Sequence, residues 1–241
     1  AIDNASEGNT VFVYDDSSPY YENVVIDKSI KLIGENKTTT VIDGGKIDNV
    51  IFVNADWIYM SGFTIKNGRI GIDIIDSCYS IIENNNVFMN KYGIRIYHYN
   101  HSTYTTISSN NISNNSPYYG LGIVTGNNYI YDNIISNNNQ DGLGLVSGFN
   151  NISNNIIYNN GWHGIKLGTS ACNNTILNNN IFSNSYGISL HGVFGFNNDN
   201  NYINGNMISK HEWGISIENS KNHTIINNFI TYNNIGFEIN Y

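Results

Sequence analysis

A four-residue pattern, Gly-Ile-x-Leu or a close variant, returns throughout this chain. Clear copies are Gly71-Ile72-Asp73-Ile74, Gly93-Ile94-Arg95-Ile96, Gly142-Leu143-Gly144-Leu145, Gly164-Ile165-Lys166-Leu167 and Gly187-Ile188-Ser189-Leu190. The last two are Gly214-Ile215-Ser216-Ile217 and Gly236-Phe237-Glu238-Ile239, and a variant follows Gly120. The glycines are separated by 22, 27, 22, 22, 23, 27 and 22 residues. A fixed period of this length is the signature of a solenoid, in which each repeat buries its apolar face only against its neighbours.

A second pattern, Ile-x-x-Asn-x-Ile-x-x-Asn, fills the space between the glycines. Its clearest copy is Ile152, Asn155, Ile157, Asn160, and its degenerate first copy is Met60, Phe63, Ile65, Gly68. Each repeat therefore holds three short apolar stretches separated by Asn or Gly. Alternation within Gly-Ile-x-Leu marks a strand with one buried face. Asn and Gly tolerate left-handed backbone and suit tight corners. Three strands and three corners in about 22 residues make one triangular coil whose strands pair in parallel with those above and below. Equivalent Asn side chains can then form hydrogen-bonded ladders. This accounts for an asparagine content of roughly one residue in five. A leucine-rich repeat shares the period but needs a Leu-rich consensus, and neither a hexapeptide period nor a Gly-Gly-x-Gly-x-Asp calcium repeat is present.

The expected fold is all-β, a parallel β-helix of about ten rungs with three strands per rung. It forms one domain over 1–241, with less regular N-terminal rungs over 1–68 and regular rungs over 69–241. Strands are expected at Thr10–Tyr14, Glu22–Ile26, Ser29–Gly34, Thr40–Gly44 and Val50–Val53, and Ala1–Ser6 reads as the tail of a capping helix. Cys78 and Cys172 follow equivalent strands four repeats apart, about 19 Å at ~4.8 Å per stacked strand. A disulfide needs Cα atoms within about 7 Å, so no bridge is expected.

The segments "NTVFVYDDSSPYYENVVIDKSIKLIGENKTTTVIDGG" and "MSGFTIKNG", followed by the "NNTI..NNI..N..GI.L" rungs, resemble the right-handed parallel β-helix proteins of the pectate-lyase-like superfamily. The nearest branch is that of the NosD-type, carbohydrate-associated surface repeat proteins. The resemblance implies a right-handed coil, export to the cell surface or beyond, and contact with polysaccharide.

Carbohydrate enzymes on this fold work on the outer face of a parallel sheet. The position before each Gly reads Ile70, Tyr92, Tyr119, Asp141, His163, Tyr186, Trp213, Ile235, and the x position reads Asp73, Arg95, Gly122, Gly144, Lys166, Ser189, Ser216, Glu238. Glycoside hydrolysis needs two carboxyls about 5 to 9.5 Å apart, and neither column supplies them. The Asp pairs, Gly-His-Gly and Arg-Ile-Lys of the family's hydrolases are missing, as is the acidic cluster of a calcium-dependent lyase. No catalytic residue, cofactor or metal is therefore expected. Tyr92, Tyr119, His163, Tyr186 and Trp213, with Arg95, Lys166 and His191 nearby, form a candidate glycan-binding stripe. Two longer loops, after Ile96 and Leu190, carry His98, His101 and His191.

The net charge is −8, without a basic stripe, which argues against nucleic acid, and no apolar run is long enough to span a membrane. The expected function is a non-catalytic extracellular or cell-surface protein with a structural or adhesive role. It would present a rigid face to glycans or to its own copies through the terminal rungs. The alternative is a polysaccharide lyase, glycoside hydrolase or epimerase of the same fold.

Overall fold

Every coil places its strands directly over those of the coil before, and three parallel sheets result. The computed structural model describes residues 1–98, 103–192 and 198–240. The first sheet has ten strands, from Thr10–Val13 to Thr224–Ile226. The second has nine, from Val41–Asp43 to Phe229–Thr231. The third has ten, from Val24–Ile26 to Ile235–Asn240. The molecule is a three-sided parallel β-helix of about ten turns.

The register follows the repeat. In the second sheet Val87 lies over Ile65 and under Ile112, and the column continues through Ile135, Ile157, Ile181 and Ile208. In the third sheet Ile72, Ile94, Leu121, Leu143, Ile165, Ile188 and Ile215 form one column. These side chains are at most 1 % exposed. Each fully buried Ile or Leu contributes about 1.5–3 kcal/mol relative to an exposed one, and the repetition makes the interior one continuous apolar column.

Asparagine ladders close the corners. In the first, Asn110 N–H donates to Asn133 Oδ1 at 3.0 Å, Asn133 to Asn155 at 3.0 Å and Asn155 to Asn179 at 2.9 Å. Each carboxamide also reaches back, as Asn155 Nδ2 does to Ile130 O at 2.9 Å. A second ladder runs through Asn90, Asn115, Asn138, Asn160 and Asn184, and a third through Asn128, Asn150, Asn174 and Asn201. Buried backbone groups at the corners are thereby satisfied without water.

The corners and the N-terminus differ in detail from the sequence expectation. The left-handed position is not the ladder Asn but the residue before it: Asn84, Asn154 and Asn178, and also Met89, Ser109 and Lys210. The ladder asparagines are retained for their carboxamides. The motif glycines are not left-handed either; a Cβ at Gly93 would lie 2.3 Å from Gly120 O, and one at Gly71 2.5 Å from Val87 Cγ1. They let consecutive coils approach. At the N-terminus, Ile2–Asn4 forms a single 3-10 turn. The expected strands are present as Val24–Ile26, Lys31–Gly34, Val41–Asp43 and Ile51–Val53, one or two residues shorter at their ends. Cys78 and Cys172 form no disulfide.

Candidate functional site

Inward residues of the third sheet are uniform, and its outward residues are not. Strand register confirms one outward column, Asp73, Arg95, Gly122, Gly144, Lys166, Ser189, Ser216, Glu238. Beside it runs the column that precedes each motif glycine, with His163 paired to Tyr186 and Tyr186 to Trp213. Backbone hydrogen bonds from Gly93 to Tyr119, Gly120 to Asp141 and Gly142 to His163 carry that column through the intervening coils.

Asp141 and His163 stand on adjacent coils and form the tightest polar contact of this face. His163 Nδ1 lies 2.6 Å from Asp141 Oδ1, which also accepts the His163 backbone N–H at 3.2 Å. Asp141 is 1 % exposed and His163 7 %. The second carboxylate oxygen, Asp141 Oδ2, is buried without a hydrogen-bond partner. A carboxylate on Nδ1 fixes the imidazole's orientation, and Nε2 forms no hydrogen bond among the described residues.

Arg95 is held differently. Its Nε and Nη2 each contact the buried Asp73 carboxylate at 2.8 Å, and Asn49 Nδ2 donates to the same carboxylate at 2.7 Å. The hydrogen bond to Asp73 holds the guanidinium above its ordinary pKa. Lys166 forms no ion pair among the described residues and lies 5.7 Å from the ring centre of Trp162. Burial raises the pKa of both Tyr92 and Tyr119, the latter with help from the Asp141 charge. Both phenols therefore keep their proton at neutral pH.

Two cavities meet at Lys166. One, about 240 Å³, is bounded by Tyr92, Arg95, Tyr119, Gly122, Asp141, Gly144 and Lys166. The other, about 330 Å³, is bounded by Trp162, His163, Lys166, Tyr186, Ser189, His191, Glu218 and Glu238. The candidate stripe is thus brought together on one face. Tyr92, Arg95 and Tyr119 fall in the first cavity, His163, Tyr186 and His191 in the second, and Lys166 in both. Trp213 stacks on Tyr186 at 4.5 Å and 8°. His191 Nδ1 contacts Glu218 at 2.8 Å, and His98 stands 3.7 Å from Asp76. His101 lies outside the described residues.

The rings do not present a row of open faces. Tyr92 stacks on Tyr118 at 4.3 Å, and the faces of Tyr186 and Trp213 are turned to each other. Asp141 has no carboxylate near it in its column, as expected; its partner is an imidazole. The signal was available: Asp141 and His163 are 22 residues apart in one column, hence on neighbouring coils. Asp73, Gly122, Gly144 and Trp162 were likewise not singled out as site residues.

The profile of the family described as "Right handed beta helix region" matches residues 48–192, and that described as "Periplasmic copper-binding protein (NosD)" matches residues 146–241. The structure resembles an alginate lyase from Paenibacillus (TM-score 0.72, 12 % identity, covering 100 % of this chain and 95 % of that one). It also resembles the periplasmic alginate epimerase AlgG (0.69, 19 %, 92 % and 51 %) and the pectate lyase Pel9A (0.63, 17 %, 94 % and 69 %). At these identities the likeness shows the fold. No curated protein sequence matches this chain. Among the described residues no three His, Cys, Asp or Glu side chains converge on one point. The coil geometry, the ladders and the match over residues 48–192 agree, and the chain belongs to the right-handed parallel β-helix family, with the fold of the pectate-lyase-like superfamily.

Proposed function

We propose that this protein acts on an acidic polysaccharide bound along the outer face of the third sheet, by proton transfer at a carbon next to a carboxylate. The observation that carries this reading is the Asp141–His163 pair at 2.6 Å, at the junction of two cavities that share Lys166. Such chemistry needs a base, a cation for the charge that develops on the carboxylate, and a proton donor. His163, oriented through Nδ1 by Asp141, is the base. Lys166 is the cation, and the protonated phenol of Tyr119 borders the same cavity. The polysaccharide lyases and epimerases among the structural neighbours support this class of substrate.

The test is incubation with a panel of acidic polysaccharides in heavy water. Either unsaturated ends or deuterium exchanged into the sugar is expected, and both should be lost in His163→Ala. A folded protein that produces neither on any acidic polymer would overturn the reading.

A second reading keeps the same face as a non-catalytic glycan surface on an exported structural protein. It is favoured by the pairing of Arg95 with Asp73, which leaves that cation little net charge to offer a reacting group. Export is supported by the periplasmic description of the NosD family, and no helix among the described residues is long and apolar enough to cross a membrane. Self-association of the chain belongs to this reading. Sedimentation over a wide concentration range checks it: concentration-dependent growth supports assembly, and a constant monomer rejects it.

A further inference from the structure

Glycine inside a strand weakens it, because the residue brings conformational entropy and no side chain to pack. Most glycines here have a steric or conformational reason. A Cβ at Gly142, Gly164, Gly187 or Gly214 would come within 2.4 to 2.7 Å of a neighbouring atom, and Gly8, Gly45, Gly62 and Gly205 have left-handed φ. Gly122 and Gly144 have neither reason. They lie within strands Leu121–Ile123 and Leu143–Leu145 with no left-handed φ. A Cβ at Gly144 would meet nothing within 4 Å, and one at Gly122 only Tyr119 Cδ2 at 3.8 Å. The fold has room for a side chain at both positions.

These two glycines are neighbours in the outward column, with Arg95 on one side and Lys166 on the other. They floor the cavity of about 240 Å³, which also includes Asp141. The buried Asp141 Oδ2 lacks a hydrogen-bond donor there. A bare strand floor, a charged residue at each end and an unsatisfied buried acceptor in the wall describe a seat for a ligand. Glycine where nothing in the protein demands it often marks close approach by something else.

We infer that Gly122 and Gly144 form a side-chain-free floor that seats two consecutive sugar units of an unbranched acidic glycan lying parallel to the solenoid axis. Its flanking units reach Arg95 and Lys166. The inference rests on the reading of this face given above and adds the ligand's length and direction. Arg95 and Lys166 are three coil steps apart, about 14 Å at ~4.8 Å per stacked strand. A 1,4-linked pyranose chain advances by close to one ring per coil, so four units span the run from Arg95 to Lys166, the middle two lying over the cavity. A carboxylate on the unit at the Lys166 end meets that ammonium, while the unit at the other end lies against the Arg95–Asp73 pair. The apolar C–H faces of the middle two rest on the glycine Cα atoms, and one of their hydroxyls donates to Asp141 Oδ2. A substituent on the floor-facing side of either middle unit cannot be accommodated.

The experiment is calorimetric titration of the full chain with unbranched uronate oligomers of two to six units. It uses the unaltered protein, Gly144→Val, Gly144→Ser and Gly122→Ser, each with its thermal midpoint. Affinity is expected to climb steeply up to four units and level off beyond. Gly144→Val is expected to weaken tetramer binding at least tenfold while its midpoint stays equal or rises, and the two serine variants to show the same pattern more weakly. A dimer that binds as tightly as the tetramer, undiminished binding by Gly144→Val, or a midpoint lowered by all three substitutions would overturn the inference. Those outcomes leave acidic-glycan recognition by this face intact. Absence of binding at every length would overturn both.

Discussion

Inward and outward positions of the third sheet alternate along the same strands, yet they obey opposite rules. Inside, Ile94, Leu121, Leu143, Ile165 and Ile188 are nearly interchangeable, and each is at most 1 % exposed. Outside, Arg95, Gly122, Gly144, Lys166 and Ser189 differ at each step. The interior is constrained by its neighbours above and below, so each coil must resemble the next. The outer face is held by local pairs such as Asp73–Arg95 and Asp141–His163 instead of a continuous column, so its coils need not repeat.

That contrast is sharpest where an interior group is removed. Asn155→Ala deletes an acceptor used by Asn133 N and Nδ2 and a donor used by Ile130 O. Each abandoned buried group costs about 1–3 kcal/mol, so a loss of about 3–5 kcal/mol is expected in denaturant unfolding. Ile157→Ala, at a fully buried site, should cost about 2–5 kcal/mol. An effect below 1 kcal/mol at either position would break the distinction.

The outer face should show the reverse. Asp141→Asn preserves shape and removes the charge that orients His163. It should change stability by only about 1 kcal/mol, as an amide replaces a carboxylate whose Oδ2 is already unpartnered. Turnover of an acidic polysaccharide should fall by about a hundredfold or more. A variant that loses stability and keeps turnover would place Asp141 with the interior.

A smaller effect separates two kinds of ladder rung. His211 and His223 replace asparagine, with Nδ1 accepting Asn184 N–H at 3.1 Å and Asn201 N–H at 3.2 Å. Burial lowers the pKa of both, partly offset at His211 by the Asn184 and Ile181 carbonyls and at His223 by Asp199. The unfolded chain therefore takes up protons first as pH falls. The contribution is complete above about pH 6.5, the ordinary histidine value, and is lost as pH drops below it toward the folded pKa. Urea midpoints at pH 7.5 and 5 should differ, and the His211→Asn, His223→Asn double variant should flatten that difference. An unchanged slope would show that these imidazoles do not titrate on unfolding.

The smallest effect is expected at the corner stack of Trp57, Tyr79 and Tyr104, with ring separations of 4.4 and 5.3 Å. Tyr79→Ala should cost about 1 kcal/mol in thermal unfolding and leave glycan binding unchanged. A change in binding would extend the ligand surface beyond the third sheet.

The architecture was legible because periodicity is a one-dimensional signal. The Gly-Ile-x-Leu spacing placed Arg95, Gly122, Gly144 and Lys166 in one column, as the register does. The left-handed corner was misplaced by one residue because the pattern marks the buried carboxamide. The adjoining corner position accepts Met89, Tyr104 or Tyr232. The candidate stripe was found as a group, but ring orientation depends on side-chain packing that spacing does not encode. Asp141 and His163 were both visible in their column. Their pairing depends on side-chain geometry that spacing alone does not encode. The glycines of the site were hidden among others that the coil requires, and only local clearance separates them.

The third sheet's outer face is the proposed seat of an acidic glycan. The most direct test is amide chemical-shift mapping of the protein titrated with an acidic tetrasaccharide. Shifts confined to Gly122, Asp141, Gly144, His163 and Lys166 and their neighbours are predicted; shifts on the first or second sheet, or none at saturating sugar, would contradict it.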